Sequence, residues 1–330
     1  MTNKITRFFL FASLSAMANH IIAQESGIDW VAGFAIGVKT IEFEEHRDGV
    51  VVERSNVIVP IDERSIFEND RDYDETLYYA DLSLGAAFQN FYIAANVEIP
   101  FADTTYDESL VGTQTEDRIV NIVSTGSGDL SRFDYALTLG YNIWEGLAVF
   151  TGYKFGETEL TFEKSVVTFP EGDPNAGADS IPRNFETTYE EKGYFVGANY
   201  AFNIADAGLL SLSVAYADLD AEHSESADFG EPSPSDSQAI FLVGPVSYDG
   251  DAEGFSYGIK WTGRLTDSLQ YNIGLKYQKY ELDGRGVRDI FENPNREPNP
   301  PPRTLRQRSN LKLDTTEEIT TFTAGLAYIF

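Results

Sequence analysis

Apolar residues alternate with small or polar ones in ten separate stretches of this chain. In the first, Ile28, Trp30, Ala32, Phe34, Ile36 and Val38 share one parity, and Asp29, Gly33, Ala35, Gly37 and Lys39 share the other. In the last, Phe322, Ala324, Leu326, Tyr328 and Phe330 carry the apolar face to the final residue. A period of two marks a strand with two unlike faces. The other eight stretches fall into four hairpins. Residues 78–88 and 91–101 flank Gln89-Asn90, 133–143 and 147–155 flank "WEG", 194–202 and 210–216 flank "NIADAG", and 255–265 and 269–277 flank "TDS". Each turn is short and holds Gly, Asp, Asn or Ser, as hairpin turns require. Five long connections separate these units, at roughly 45–75, 102–130, 163–187, 220–252 and 283–315.

An apolar strand face that runs to the carboxyl end needs a core or a lipid phase to meet. The other terminus helps to decide. Lys4 and Arg7 precede an apolar run from Phe8 to about Ser15, and Ala16-Met17-Ala18 is a small-x-small site. This is the pattern of a secretory signal peptide over residues 1–23, cleaved after Ala18 or Ala23. No later stretch approaches the ~20 apolar residues of a membrane-crossing helix. A membrane protein of this sequence must therefore cross with strands. The expected architecture is all-β, one antiparallel transmembrane barrel of ten strands over residues 24–330, with short periplasmic turns and long extracellular loops. An even count places both ends on the periplasmic side. Residues 49–61 and 239–246 are apolar enough to be strands but keep no clean parity. They read as hairpin or lip structure above the membrane, and counting both would give twelve strands.

Composition agrees. Aromatic residues make up 13%, with 18 Tyr and 23 Phe, enough for girdles at two membrane interfaces. There is no cysteine, so no disulfide staples this exported chain. The net charge is −29, or −31 once Lys4 and Arg7 leave with the signal. That balance excludes nucleic acid as a partner, since phosphate contacts need clustered Lys and Arg.

Together the signal, the hairpin rhythm and the terminal "LAYIF" resemble the outer-membrane β-barrel proteins of Gram-negative bacteria. The resemblance implies that Phe322, Leu326, Tyr328 and Phe330 form the signal read by the barrel-assembly machinery. It also implies contact with outer-membrane lipid and lipopolysaccharide. It does not choose a function, because this superfamily holds pores, adhesins and enzymes.

Inward parity assigns six lumen charges. Asp81, Glu98 and Asp134 come from strands two to four, and Lys154, Lys260 and Lys276 from strands five, eight and nine. One wall is then acidic and the other basic. Either the charges pair across a narrow lumen and seal it, or they line a thin water path for small solutes. Inward glycines, among them Gly37, Gly140, Gly152 and Gly197, leave lumen volume to water or a loop. The connections differ in charge. Residues 220–253 hold nine acidic residues and no Lys or Arg. The last connection carries Arg285, Arg288, Arg296, Arg303, Arg306, Arg308 and Lys312 around a Pro-rich centre, and reads as a lid or an anion contact. Asp70, Asp72 and Asp74 are spaced like the start of a calcium loop, but position six is Glu75 rather than Gly. A solvated acidic loop explains them better, and no cofactor is expected.

The leading expectation is a small porin-like channel with a loop-restricted lumen. The alternative is a closed structural or adhesin-type barrel that binds partners through its acidic loops. A third is a rim protease like the ten-stranded omptins, with His223 near Asp218 and Asp220, His46, and Asp103 and Asp107 in the second connection. A Ser224-His223 pair is disfavoured because neighbours on a strand point to opposite faces.

Overall fold

In the computed structural model the described residues are 7–9, 19–21, 28–54, 66–101, 104–116, 118–170, 179–204, 207–229, 240–243, 246–293 and 304–330. Arg7–Phe9 and Asn19–Ile21 pair with each other, apart from the main sheet. Everything else described belongs to one antiparallel ring. Its strands are β1 (Asp29–Arg54), β2 (Ile66–Phe88), β3 (Phe91–Pro100, prolonged by Thr104–Glu116), β4 (Arg118–Trp144), β5 (Leu147–Pro170), β6 (Asp179–Ile204), β7 (Gly208–Phe229), β8 (Val246–Arg264), β9 (Leu269–Asn293) and β10 (Thr304–Ile329). Ile240–Val243 adds a short rung beside β9. Each strand pairs with the next, and β10 pairs with β1, so the ring of ten has no free edge.

The register fixes the shape. From Ala35 the cross-strand partners run through Asp81, Glu98, Asp134, Gly156, Glu191, Ala221, Gly250, Gly284 and Leu313, and return to β1 at Arg47. One circuit shifts the chain by 47 − 35 = 12 residues. With strand spacings of about 4.8 Å and a rise of about 3.3 Å, that stagger tilts the strands by roughly 40° on a backbone cylinder about 20 Å across.

The outer surface divides in two. From the short turns upward each strand exposes apolar residues at alternate positions, such as Phe34 and Ile36, Leu82 and Leu84, Leu137 and Leu139, and Ile273 and Leu275. Each strand gives about ten residues to this belt, the length a tilted strand needs to cross hydrocarbon. Aromatics mark both borders. Trp30, Phe88, Phe91, Trp144, Phe202 and Tyr328 stand at the turn side, and Tyr78, Tyr135, Tyr194, Phe255 and Tyr257 at the far side. Beyond the belt the outward positions become Glu42, Glu44, Asp218, Asp220, Glu222, Asp249, Asp251 and Glu253. The strands do not stop there. The stretches expected as long loops are largely strand, because backbone pairing continues after the apolar parity ends. Residues 49–54 lie in β1, and 240–243 form the rung beside β9. Residues 55–61, 239, 244 and 245 of the two stretches read as a lip lie outside the described residues, and the ring keeps ten strands rather than twelve.

The turns are tight. Gly146 has φ 80°, a left-handed conformation that suits glycine, in the loop between Trp144 and Leu147. At the seam the backbone N–H of Phe330 donates to the carbonyl of Trp30 at 2.9 Å, so the last residue is bonded to the start of the first strand. Its ring is 70% exposed on the outer face. Deleting Phe330 is expected to reduce the folded fraction at equal expression. The check is the share of protein whose gel migration shifts on heating; an unchanged share would remove the assembly role.

Candidate functional site

The barrel interior is where this sequence concentrates chemistry. All six predicted lumen charges point inward, and Asp81, Glu98, Lys154 and Lys260 are buried. Three of the acids lie on the register row traced above. Asp81 faces Glu98, and Glu98 faces Asp134. Like charges directly opposite repel, so this row requires cations from elsewhere. They arrive from residues the sequence reading passed over. Lys39 on β1 reaches Glu98 at 2.7 Å and Asp134 at 2.5 Å. Arg132 on β4 contacts Asp134 at 3.0 Å, Glu191 at 3.4 Å, the hydroxyl of Thr158 at 2.9 Å, and Glu317. Lys154 reaches Glu191 at 3.1 Å and lies 3.9 Å from the Tyr280 ring centroid. Lys276 on β9 reaches Glu98 on β3 at 3.4 Å.

The expected division into an acidic and a basic wall is therefore corrected. Lys39 and Arg132 stand among the acids, and Glu191 and Glu317 among the bases. Four basic and four acidic side chains form one network, balanced in formal charge. β4 and β10 lie four strands apart in a ring of ten, as do β3 and β9, so the Arg132–Glu317 and Lys276–Glu98 pairs cross the lumen. Buried charges tolerate such a site only when paired. A cavity of about 40 Å³ lies against the network, bordered by Asn96, Glu98, Asp134, Phe195, Lys276 and Gln278.

A second crossing lies further from the belt. Arg47 on β1 donates to Glu225 on β7 at 2.7 Å and pairs with Glu45. Tyr189 on β6 donates to Glu45 from the opposite side of the ring. Four rings line up through the same space. Phe43 and Tyr189 have centroids 5.1 Å apart, Tyr189 and His223 4.2 Å, and His223 and Tyr248 5.2 Å. Arg47 lies over Tyr248, 5.7 Å from its centroid.

Four of the inward glycines do not leave open volume as expected. Tyr79 lies over Gly37, Tyr92 over Gly140, Phe195 over Gly152 and Phe150 over Gly197, each ring directly opposite its glycine in the register. Missing side chains on one strand make room for rings from the next.

The rim-enzyme geometry is absent among the described side chains. His223 is 0% exposed and points inward, whereas Asp218, Asp220 and Ser224 point outward. His46 faces outward on β1, 3.3 Å from Asp48. Asp103 lies outside the described residues, as does the side chain of Asp107. Asp70, Asp72 and Asp74 sit in extended β2 opposite His46, Glu44 and Glu42, so they adopt no calcium-loop curl. The side chains of Asp70 and Asp72 lie outside the described residues, and no group of metal-ligating side chains occurs among those described. Of the arginines expected in a loop, Arg285 and Arg288 are in β9, and Arg306 and Arg308 in β10. Arg285 is exposed opposite Lys312. Arg296 and Arg303 lie outside the described residues, as do the side chains of Arg288, Arg306 and Arg308.

No protein-family model matches this sequence, and no curated protein matches it either. Among solved structures, the outer membrane protease OmpT from Escherichia coli superposes with a TM-score of 0.60 at 11% identity, covering 92% of this chain and 97% of that one. A Pseudomonas aeruginosa FadL homologue gives 0.31 at 8% identity over 91% and 90% of the two chains. OprG from Pseudomonas aeruginosa gives 0.28 at 8% identity over 90% and 95%. At 11% identity the first likeness speaks for the fold alone. With a closed ring, an apolar belt of membrane height and two aromatic borders, the chain is a ten-stranded β-barrel of the bacterial outer membrane.

Proposed function

We propose that the protein is a closed outer-membrane barrel that acts through its extracellular wall, not a standing open pore. The observation that carries this reading is the double crossing of the lumen. Ion pairs span it at the height of Arg132 and Lys276, and an ion-pair and ring cluster spans it again at Arg47, Tyr189 and His223. Above the belt, the outward face offers carboxylates in cross-strand register, Asp218 with Glu253, Asp220 with Asp251 and Glu222 with Asp249. A partner for that face carries complementary basic charge or brings cations. On this reading residues 1–23 direct export. The belt contacts outer-membrane lipid and lipopolysaccharide, and the terminal strand is read by the barrel-assembly machinery.

A small-solute channel is the second reading. The cavity beside the network and the polar lining beneath it favour it, because a few rotated side chains would join them. Single-channel recording of the refolded mature protein in a planar bilayer separates the two. The closed reading expects a silent bilayer with correctly folded protein. Discrete steps in the unmodified protein, altered in size or selectivity by Asp81→Asn, would replace it with the channel.

A further inference from the structure

Among the described side chains, the lumen cations follow a rule with one exception. Lys39, Arg47, Arg132, Lys154 and Lys276 each have a carboxylate within 3.4 Å. Lys260 has none. It is 7% exposed, its side chain points into the barrel from β8, and among the described residues its ammonium meets no hydrogen-bond acceptor. Asp81 acts on it electrostatically without a bond; one of its oxygens accepts from Asn96 at 3.4 Å, and the other has no hydrogen-bond partner among the described residues.

The surroundings of Lys260 share its condition. Ser211 lies directly opposite on β7, and Thr262 is the next inward position on β8. Asn272 on β9 faces Thr262. All three are at least nine-tenths buried, and the Ser211 and Thr262 hydroxyls and both polar atoms of the Asn272 amide lack a partner among the described residues. On the other flank Gly274 faces Lys260. A Cβ there would lie 2.9 Å from the Thr323 hydroxyl oxygen and in ordinary contact, at 4.0 Å, with the lysine Cγ, so the glycine makes room for the threonine beside the site. Buried polar groups left unpaired are costly, and an unpaired ammonium more so. A purely structural lysine would be expected to carry a carboxylate, as the other five do. Ammonium, hydroxyl and amide N–H groups are all donors, and their common complement is an oxyanion.

We propose that the lumen around Lys260 is a binding site for a small oxyanion, a carboxylate or a phosphate. The ammonium would supply the charge, and Ser211, Thr262 and Asn272 the additional hydrogen bonds. One positive charge suits a monoanion, and the filled lumen suits a small one. The charge network stands on the extracellular side of Lys260, so the periplasmic end is the more direct way in for the ligand. Neither the closed nor the channel reading is required.

The test follows the side-chain ammonium resonances of 15N-lysine-labelled, full-length folded barrel in detergent micelles. Sodium acetate, and in a second series sodium phosphate, replaces sodium chloride at constant ionic strength. The Lys260 signal is identified by its loss in Lys260→Met. The expected result is a saturating shift of Lys260 with at least one anion, while Lys279, half-buried on the outer face, follows no saturation curve. Ser211→Ala/Thr262→Val should weaken the half-saturation concentration several-fold. Saturation by acetate alone assigns a carboxylate, and by phosphate alone a phosphate. Shifts that do not saturate, or that match those of Lys279, would overturn the site. Lys260→Met is expected to melt no lower than the parent. A marked fall would show that the ammonium is already compensated within the fold, and would also overturn it.

Discussion

Replacing Arg132 with methionine should destabilise the barrel by about 3–5 kcal/mol, the cost of breaking a buried ion pair from one side. Arg132 is the hub of the network. It joins Asp134, Glu191 and Glu317, and its loss leaves four carboxylates facing three lysines. Lysine is a poor substitute, because one ammonium cannot reproduce the planar fork that reaches three carboxylates and the Thr158 hydroxyl. The measurement is the urea midpoint of reversible unfolding into lipid vesicles, taken for Arg132→Met, Glu317→Gln and the double variant. Glu317→Gln alone should cost less, because a neutral amide still accepts a hydrogen bond. The double variant should recover part of the Arg132→Met loss, since one uncompensated carboxylate has gone. Simple additivity would mean that the two side chains do not interact across the lumen. The same Arg132→Met protein is the one in which a silent barrel should begin to conduct.

Gly325→Val should prevent ring closure outright. Gly325 faces Ala35 across the β10–β1 seam. A Cβ on it would lie 2.5 Å from the Ala35 Cβ, 2.6 Å from the Phe34 carbonyl oxygen and 2.8 Å from the Ala35 Cα. Two of those atoms are backbone, so no rotamer relieves the overlap. The seam would have to part, exposing two edges with unpaired N–H and C=O groups in lipid, where each costs several kcal/mol. Folded yield should fall to near zero in refolding from urea. Gly284→Ala is the control, because its Cβ would meet its nearest neighbours at 3.5–3.7 Å, ordinary contact. Equal yields from the two variants would place the closing constraint elsewhere.

The ring of ten was legible because lipid demands apolar residues on one face. Wherever that demand holds, from Phe34 to Ile36 or Leu326 to Tyr328, alternation appears in the letters. Above the belt both faces are polar. Glu42-Phe43-Glu44-Glu45-His46-Arg47 runs on as strand with carboxylates outside and a charged, aromatic core inside, so apolar periodicity is lost while pairing continues. This is why the long connections read as loops and why Glu45, Arg47 and His223 escaped as core residues. Parity did reveal the inward direction of Asp81, Glu98 and Lys276. Lys39 was visible on the inward parity of the first strand. Arg132, Glu191 and Glu317 needed the parity carried past the belt by a residue pair or two. Their mutual pairing could not be read from parity at all, because it depends on which strands the stagger brings face to face. The same holds for the glycines, whose space is claimed by rings known only from the register.

That stagger also decides how the interior acidity is distributed. A hydrogen-bonded row does not run level around the cylinder. At a tilt of roughly 40° it climbs about 3 Å from each strand to the next. Asp81, Glu98, Asp134 and, after Gly156, Glu191 occupy consecutive places on one such row. They are thus a spiral stair and not a ring, each carboxylate at its own depth. A proton or cation moving along the axis would meet them one at a time, passed from step to step, and neutralising any single step would break the flight at one height only.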